Sequence, residues 1–348
     1  MIRIVIAEDS PVVREFLIHV FSMDSAIQIV GTASDGEEAI EVVQRLRPDV
    51  VVMDYHMPKL DGWEATRRIM EMTPTPIVIV TGTADPKGLA DTLRTVEAGA
   101  LAVLARPAGI GHPDHDATAR ELVQTVKLMS EVKVVRRWPR PPEPPVPRPA
   151  QSAFGYAPRK IKVVGIGAST GGPPVLQTIL TALPKNFMAP ILIVQHMSPG
   201  FIQEFAEWLA RSCLLPVHIG RHAEHILPGN VYLAPDEFHM TVQAGDHIVL
   251  TKEEPKNGLR PSVSSLFQSL ADVYGDAVMA GLLTGMGRDG AAELKLLKNK
   301  GAVTFAQDRE SSVVNGMPGE AVRLDAAVYV LPPDKIAAAL TSLTNSRT

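Results

Sequence analysis

The stretch IKVVGIGASTGGPP, residues 161–174, is a β-branched apolar run that passes into small residues and ends on two prolines. That order reads as a buried strand, a tight turn and the first turn of a helix, where proline is tolerated because its missing N–H would have no partner. The rhythm recurs downstream in APILIVQHM (189–197), NVYLAP (230–235) and AVMAGLLTG (277–285). Within this half, residues 230–252 read as an antiparallel hairpin turning at Ala244 to Asp246. Upstream, IRIVIA (2–7), IQIVGT (27–32), DVVVMD (49–54), PIVIVT (76–81) and ALAVLA (100–105) alternate with amphipathic stretches such as EEAIEVVQRL (37–46) and GLADTLRTVEAG (88–99). Strands alternating with helices imply right-handed crossovers and parallel sheets with helices on both faces. The expected class is α/β throughout: a five-stranded, doubly wound, flavodoxin-like sheet, then a second doubly wound domain carrying the hairpin.

Between the halves lies RRWPRPPEPPVPRPA, residues 136–150, with seven prolines from Pro139 to Pro149. Proline fixes φ and removes backbone donors, so this stretch is expected to be an extended polyproline II spacer; a ligand for an aromatic groove is the other reading. The predicted division is 1–130, a linker over 131–158, and 159–346. A chain of 348 residues also exceeds what one core usually serves. The net charge of −4 gives no basic surface for nucleic acid. One cysteine, Cys213, excludes an internal disulfide and fits a reducing compartment. MIRIVIAEDS has no signal-peptide pattern, and no uncharged apolar run reaches the ~18 residues of a membrane helix. A cytoplasmic protein without membrane insertion is expected.

Three carboxylates fall at strand ends of the first half: Glu8 and Asp9 after the first strand, Asp54 after the third. Strand ends are neighbours in such a sheet, so the acids should converge on one pocket, and oxygen ligands of this number suit Mg²⁺. Thr81, ending the fourth strand, could accompany a phosphoryl group on Asp54. Each acid alone would be an ordinary helix cap.

In the second half, Ser169 sits in the glycine turn at a helix start, His196 just past the next strand, and Asp289 in GMGRDG past a later one. These are the parts of an acyl-transfer triad: Ser169 as nucleophile, His196 as base, Asp289 as its orienter. Backbone N–H groups at Met286 and at Thr170 are candidate oxyanion donors. The same pattern admits a phosphate loop with Ser169 capping the helix. A dinucleotide site fits poorly, because the third fingerprint glycine is Thr170 and Gln195 and His196 stand where an acid would hold ribose. His225 and His239 fall in loop or hairpin contexts without an evident partner.

The motifs IAEDS, MDYHMPKLDG, VTGTADP and ARP (105–107) together resemble the receiver domain of bacterial response regulators. The resemblance implies Asp54 as phospho-acceptor, Glu8, Asp9 and Asp54 as Mg²⁺ ligands, Thr81 as switch hydroxyl, and a histidine kinase as phosphodonor. Arg106 stands where the family has lysine, and Val103 where many relatives have an aromatic residue. GIGASTGGP, QHM, YLAPDEFHM, RPSVSSLF, LTGMGRDGA and AQDRESSVVNGMPGEA resemble the catalytic domain of the chemotaxis protein-glutamate methylesterases. That resemblance implies Ser169, His196 and Asp289 as the triad, Met286 N–H as an oxyanion donor, and no cofactor for the esterase. It further implies hydrolysis of glutamyl methyl esters on chemoreceptor cytoplasmic domains with release of methanol, and deamidation of receptor glutamines. Ser264 stands where an aspartate is more usual.

Overall fold

Runs such as VVVM (50–53) and IVIVT (77–81) are buried at every position, as expected of strands covered by helices on both faces. In the computed structural model, which describes residues 1–82, 94–132, 134 and 161–344, they are central strands of a parallel sheet. The proline-rich stretch 136–150 and part of the helix expected over 88–99 lie outside the described residues. The chain divides into two compact units, Met1–Val146 and Pro147–Thr348.

The first unit has strands β1 (Ile2–Ala7), β2 (Ile27–Ala33), β3 (Val50–Met53), β4 (Ile77–Thr81) and β5 (Ala102–Ala105) in the order β2-β1-β3-β4-β5. All pairs are parallel. The helices include α1 (Pro11–Ser22), α2 (Gly36–Leu46), α3 (Gly62–Met72) and α4 (His115–Met129). Pro11 opens α1, while Asp35 and Asp61 cap α2 and α3 by accepting from Glu38 N–H and Glu64 N–H. The strand order reverses between β1 and β3, which places the carboxyl ends of those two strands at the switch point where ligands bind.

The second unit is built on seven parallel strands in the order β14-β13-β12-β6-β7-β9-β8. They are β6 (Val163–Ala168), β7 (Ile191–Gln195), β8 (Val217–Ile219), β9 (Val231–Leu233), β12 (Val278–Leu282), β13 (Val303–Gln307) and β14 (Tyr329–Leu331). The antiparallel pair β10 (His239–Gln243) and β11 (His247–Thr251) is the expected hairpin, its turn completed by Gly245 and Asp246 at positive φ. The helices are α5 (Gly172–Thr181), α6 (Ile202–Ser212), α7 (Val263–Val273), α8 (Ala291–Asn299), α9 (Met317–Arg323) and α10 (Pro333–Thr344). The chain runs outward from β6 through β7 on one side and returns through β12 on the other, so β6 and β12 flank the switch point.

The alternating glycines of VVGIGA have a packing cause. A Cβ at Gly165 would lie 2.5 Å from Leu270 Cδ1, and one at Gly167 2.5 Å from Val263 Cγ1. Helix α7 therefore rests directly on β6. Its Leu266, Phe267 and Leu270 are fully buried, each contributing about 1.5–3 kcal/mol of apolar burial.

Candidate active site

Ala168 and Gln195 form the last registered pair of β6 and β7, so Ser169 and His196 are the next residues on two adjacent strands. The register continues one step, since His196 N–H donates to Ala168 O at 2.9 Å. Ser169 N–H donates to Thr284 O at 3.0 Å, which ties the serine to the end of β12. A Cβ on Gly285 would stand 2.7 Å from Ser169 Cβ, so only glycine lets the GMG turn lie against the serine. Met286, next in that turn, and Thr170 are both half-buried beside Ser169 in the chain or across this contact. Thr284 Oγ1 donates to Thr170 O at 2.9 Å and accepts from Val314 N–H, so the loop before α9 braces both turns.

Asp289 completes the group. Its carboxylate is buried and lies 3.0 Å from Nε2 of His196 through Oδ2. Three further donors come from the start of α7: Val263 N–H to Oδ2 at 2.6 Å, Ser262 Oγ to Oδ1 at 2.8 Å, and Ser264 N–H to Oδ1 at 3.2 Å. Burial pushes this carboxyl upward, but the hydrogen bonds from His196, Ser264 and Ser262 and the attraction of the imidazole hold it down to about 2. A helix N-terminus favours an anion, so α7 keeps Asp289 ionised next to the imidazole. The structure thus brings Ser169, His196 and Asp289 to one rim of the sheet.

Sequence reasoning missed two parts of this arrangement. The first is the role of RPSVSSLF, which supplies three of the four donors to Asp289. The second is His239, which is buried against Ser265 Oγ of α7 at 3.2 Å and Glu254 O at 3.2 Å and so fastens the hairpin to that helix. Ser264, the departure from the aspartate expected there, donates from Oγ to Glu293 Oε2 at 2.7 Å and accepts from Gly290 N–H at 3.0 Å. A carboxylate at 264 would face Glu293 and crowd Asp289. Ser264→Asp is expected to lower stability by about 3–5 kcal/mol, with most of the loss restored by adding Glu293→Gln; thermal unfolding of the three proteins measures it.

In the first unit, Glu8, Asp9 and Asp54 offer carboxylate oxygens within 4.8 Å of one another, Glu8 and Asp54 buried and Asp9 exposed. Asp54 Oδ1 accepts from Tyr55 N–H at 2.8 Å. Burial and the neighbouring Asp54 push Glu8 up to about 7; burial also raises Asp54, against the pull of Arg106. Arg106 Nη2 stands 3.5 Å from Glu8 Oε2 and 4.0 Å from Asp54 Oδ2, and the Arg106 main-chain N–H donates to Thr81 O at 2.8 Å. Thr81 is buried, and Val103 half-buried in β5. Glu8 Oε2 has no hydrogen-bond donor among the described residues. An under-neutralised, oxygen-only set with one orphaned buried carboxylate oxygen fits a hard divalent cation.

Family models match both units. A response regulator receiver domain model matches residues 4–112, and a CheB methylesterase model matches residues 164–340, more than half of the chain. The chain belongs to the CheB methylesterase family. Among relatives in this family, the protein-glutamate methylesterase/protein-glutamine glutaminase of Nitrosospira multiformis is 60% identical, with 100% of this chain and 98% of that protein covered. A Geobacter metallireducens protein of the same description is 54% identical, with 99% of each covered. The crystal structure of the Thermotoga maritima CheB methylesterase catalytic domain aligns with a TM-score of 0.51 at 41% identity, covering 52% of this chain and 98% of that one. No helix among the described residues is long and apolar enough to cross a membrane.

Proposed function

We propose that the chain hydrolyses glutamyl methyl esters on the cytoplasmic domains of chemoreceptors, under control of phosphorylation at Asp54. The observation that carries this reading is the hydrogen bond of His196 Nε2 to a buried, four-donor Asp289, with Ser169 one step beyond β6 at the adjacent strand end. With Nε2 held by the carboxylate, Nδ1 is the nitrogen left to take the Ser169 proton. Ser169 Oγ attacks the ester carbonyl, and the oxyanion is met by the N–H groups of Met286 and Thr170. His196 returns the proton to the departing methoxide, releasing methanol and leaving a glutamyl ester on Ser169. Water then attacks, its proton again taken by His196, and free glutamate and the serine hydroxyl result. A glutamine amide follows the same route with ammonia as leaving group, in keeping with the glutaminase activity in the relatives' descriptions.

In the receiver, Glu8, Asp9 and Asp54 would hold Mg²⁺, which when bound offsets the negative charge of an incoming phosphoryl group. Asp54 accepts the phosphoryl group from a histidine kinase, while Thr81 and Arg106 hold its oxygens. In this reading residues 1–130 are the receiver, 131–158 the linker and 159–346 the catalytic domain of a cytoplasmic signalling enzyme. Methanol release from receptor fragments with methylated glutamates tests the activity; a wild-type chain that releases none overturns it. For the receiver, Asp54→Asn is expected to abolish labelling by radioactive acetyl phosphate, and retained labelling would exclude Asp54 as acceptor.

A further inference from the structure

Beyond Ala168 and Gln195, the two strand ends are joined by a side chain. The carbonyls of Ser169 and His196 are both within reach of one point, and both are acceptors. Gln195 fills that point. Its Nε2 donates to Ser169 O at 2.9 Å and to His196 O at 2.7 Å, using both protons of one amide group. The side chain is buried, at 3% exposure. Its orientation is fixed, because the reversed carboxamide would aim three oxygens at one another. Ser169 O also accepts from Gly172 N–H at 2.8 Å, and His196 N–H is already spent on Ala168 O. The peptide groups carrying nucleophile and base are therefore pinned to each other through one side chain.

The surroundings are shaped for this amide. A Cβ on Gly172 would lie 2.2 Å from Gln195 Oε1, so the first residue of α5 has to be glycine for the carboxamide to lie flat against it. Oε1 is buried without a hydrogen-bond partner among the described residues. An unpartnered acceptor is tolerated here in return for two donated bonds at the strand ends.

We propose that Gln195 is a positioning residue for ester hydrolysis: a two-proton clamp that fixes the main chains of Ser169 and His196 relative to each other. The proposal rests on the reading of Ser169 as nucleophile. Gln195 Nε2 bonds to main-chain carbonyls and acts through the two backbones it joins. Of the neutral side chains, only asparagine and glutamine carry two protons on one nitrogen, and asparagine is one methylene too short to span from this Cα.

The test uses the full chain, methylated receptor fragments, and a fluorophosphonate probe that reports serine nucleophilicity without the receptor. Gln195→Met keeps the volume and removes both protons. It is expected to lower kcat and the labelling rate about 100-fold with KM within twofold, the size of effect of misplacing reacting groups by about an ångström. Gln195→Glu adds a pH signature. A protonated carboxyl donates one bond, whereas the ionised form donates none and repels both carbonyls, so its labelling rate relative to wild type should fall as pH rises from 5 to 8. A purely structural role would give a pH-independent ratio. If wild type is labelled at Ser169 and Gln195→Met is labelled equally fast, the clamp is refuted while the nucleophile stands. If wild type is not labelled at Ser169, the reading of the site itself fails. Should Gln195→Met not fold, the pH-dependent ratio in Gln195→Glu decides, and a flat ratio refutes the clamp.

Discussion

Exchanging Ser169 for alanine is expected to lower kcat for methyl-ester hydrolysis about a million-fold, to the residue of rate supplied by binding and oxyanion donors alone. The magnitude follows from the proposed roles acting as a unit: without Oγ no acyl-enzyme would form, and His196 and Asp289 would have no proton to move. Fold and receptor binding should be untouched, because Ser169 is held through its main chain, by Thr284 O, Gly172 N–H and Gln195 Nε2. Methanol release from methylated receptor fragments, with KM or direct binding measured beside it, checks both halves. A variant that retains more than a hundredth of wild-type kcat would remove Ser169 from the chemistry.

Asp289→Asn has the second largest expected effect, about 10⁴-fold in kcat, because the imidazole loses the anion that fixes its tautomer and supports its charged form. In this chain the substitution carries a structural cost as well. Each carboxylate oxygen accepts one main-chain N–H of α7, from Val263 at Oδ2 and Ser264 at Oδ1. Either orientation of an asparagine amide therefore sets an NH₂ against an N–H, at about 1–3 kcal/mol. The acid limb of stability should change too. A carboxyl held down to about 2 contributes fully above its ordinary 3.8 and loses that contribution as pH falls toward 2. Wild type should lose roughly 2 kcal/mol on that account across the window, and Asp289→Asn should not. Thermal unfolding between pH 2 and 5 measures it; parallel curves for the two proteins would show that the carboxylate is not ionised by its surroundings.

The catalytic candidates were legible because strand ends in a parallel sheet are close in space even when distant in sequence. Ser169, His196 and Asp289, like Glu8 and Asp54, each follow an apolar run, and the alternation of runs and helices gave the sheet that gathers them. Less visible was what holds each of them. Asp289 takes its donors from Ser262, Val263 and Ser264, 25 to 27 positions earlier. The serine-rich start of an apolar helix announces an N-terminus, yet nothing local names the anion it will meet. Gln195 was read only as the lack of a ribose-binding acid, since a two-carbonyl junction exists only once β6 and β7 are paired. Strands β8 and β14 were overlooked for a different reason: each is three residues long, at an edge of the sheet, and partly exposed. Run β13, VTFAQ, is buried throughout and was readable, but its glycine-poor exit gave no turn to mark it.

The choice of Nε2 by Asp289 has a consequence for covalent chemistry at the imidazole. The two ring nitrogens are distinguishable after modification, as π- and τ-alkylhistidine. A carboxylate that held Nδ1 would instead leave the τ nitrogen to an alkylating reagent such as a halomethyl ketone. With Asp289 Oδ2 at Nε2, the lone pair left for a reagent is that of Nδ1, so a reagent captured by His196 should leave the π isomer in the hydrolysate. Tandem mass spectrometry against the two synthetic standards would then read the handedness of the site from a single modified residue.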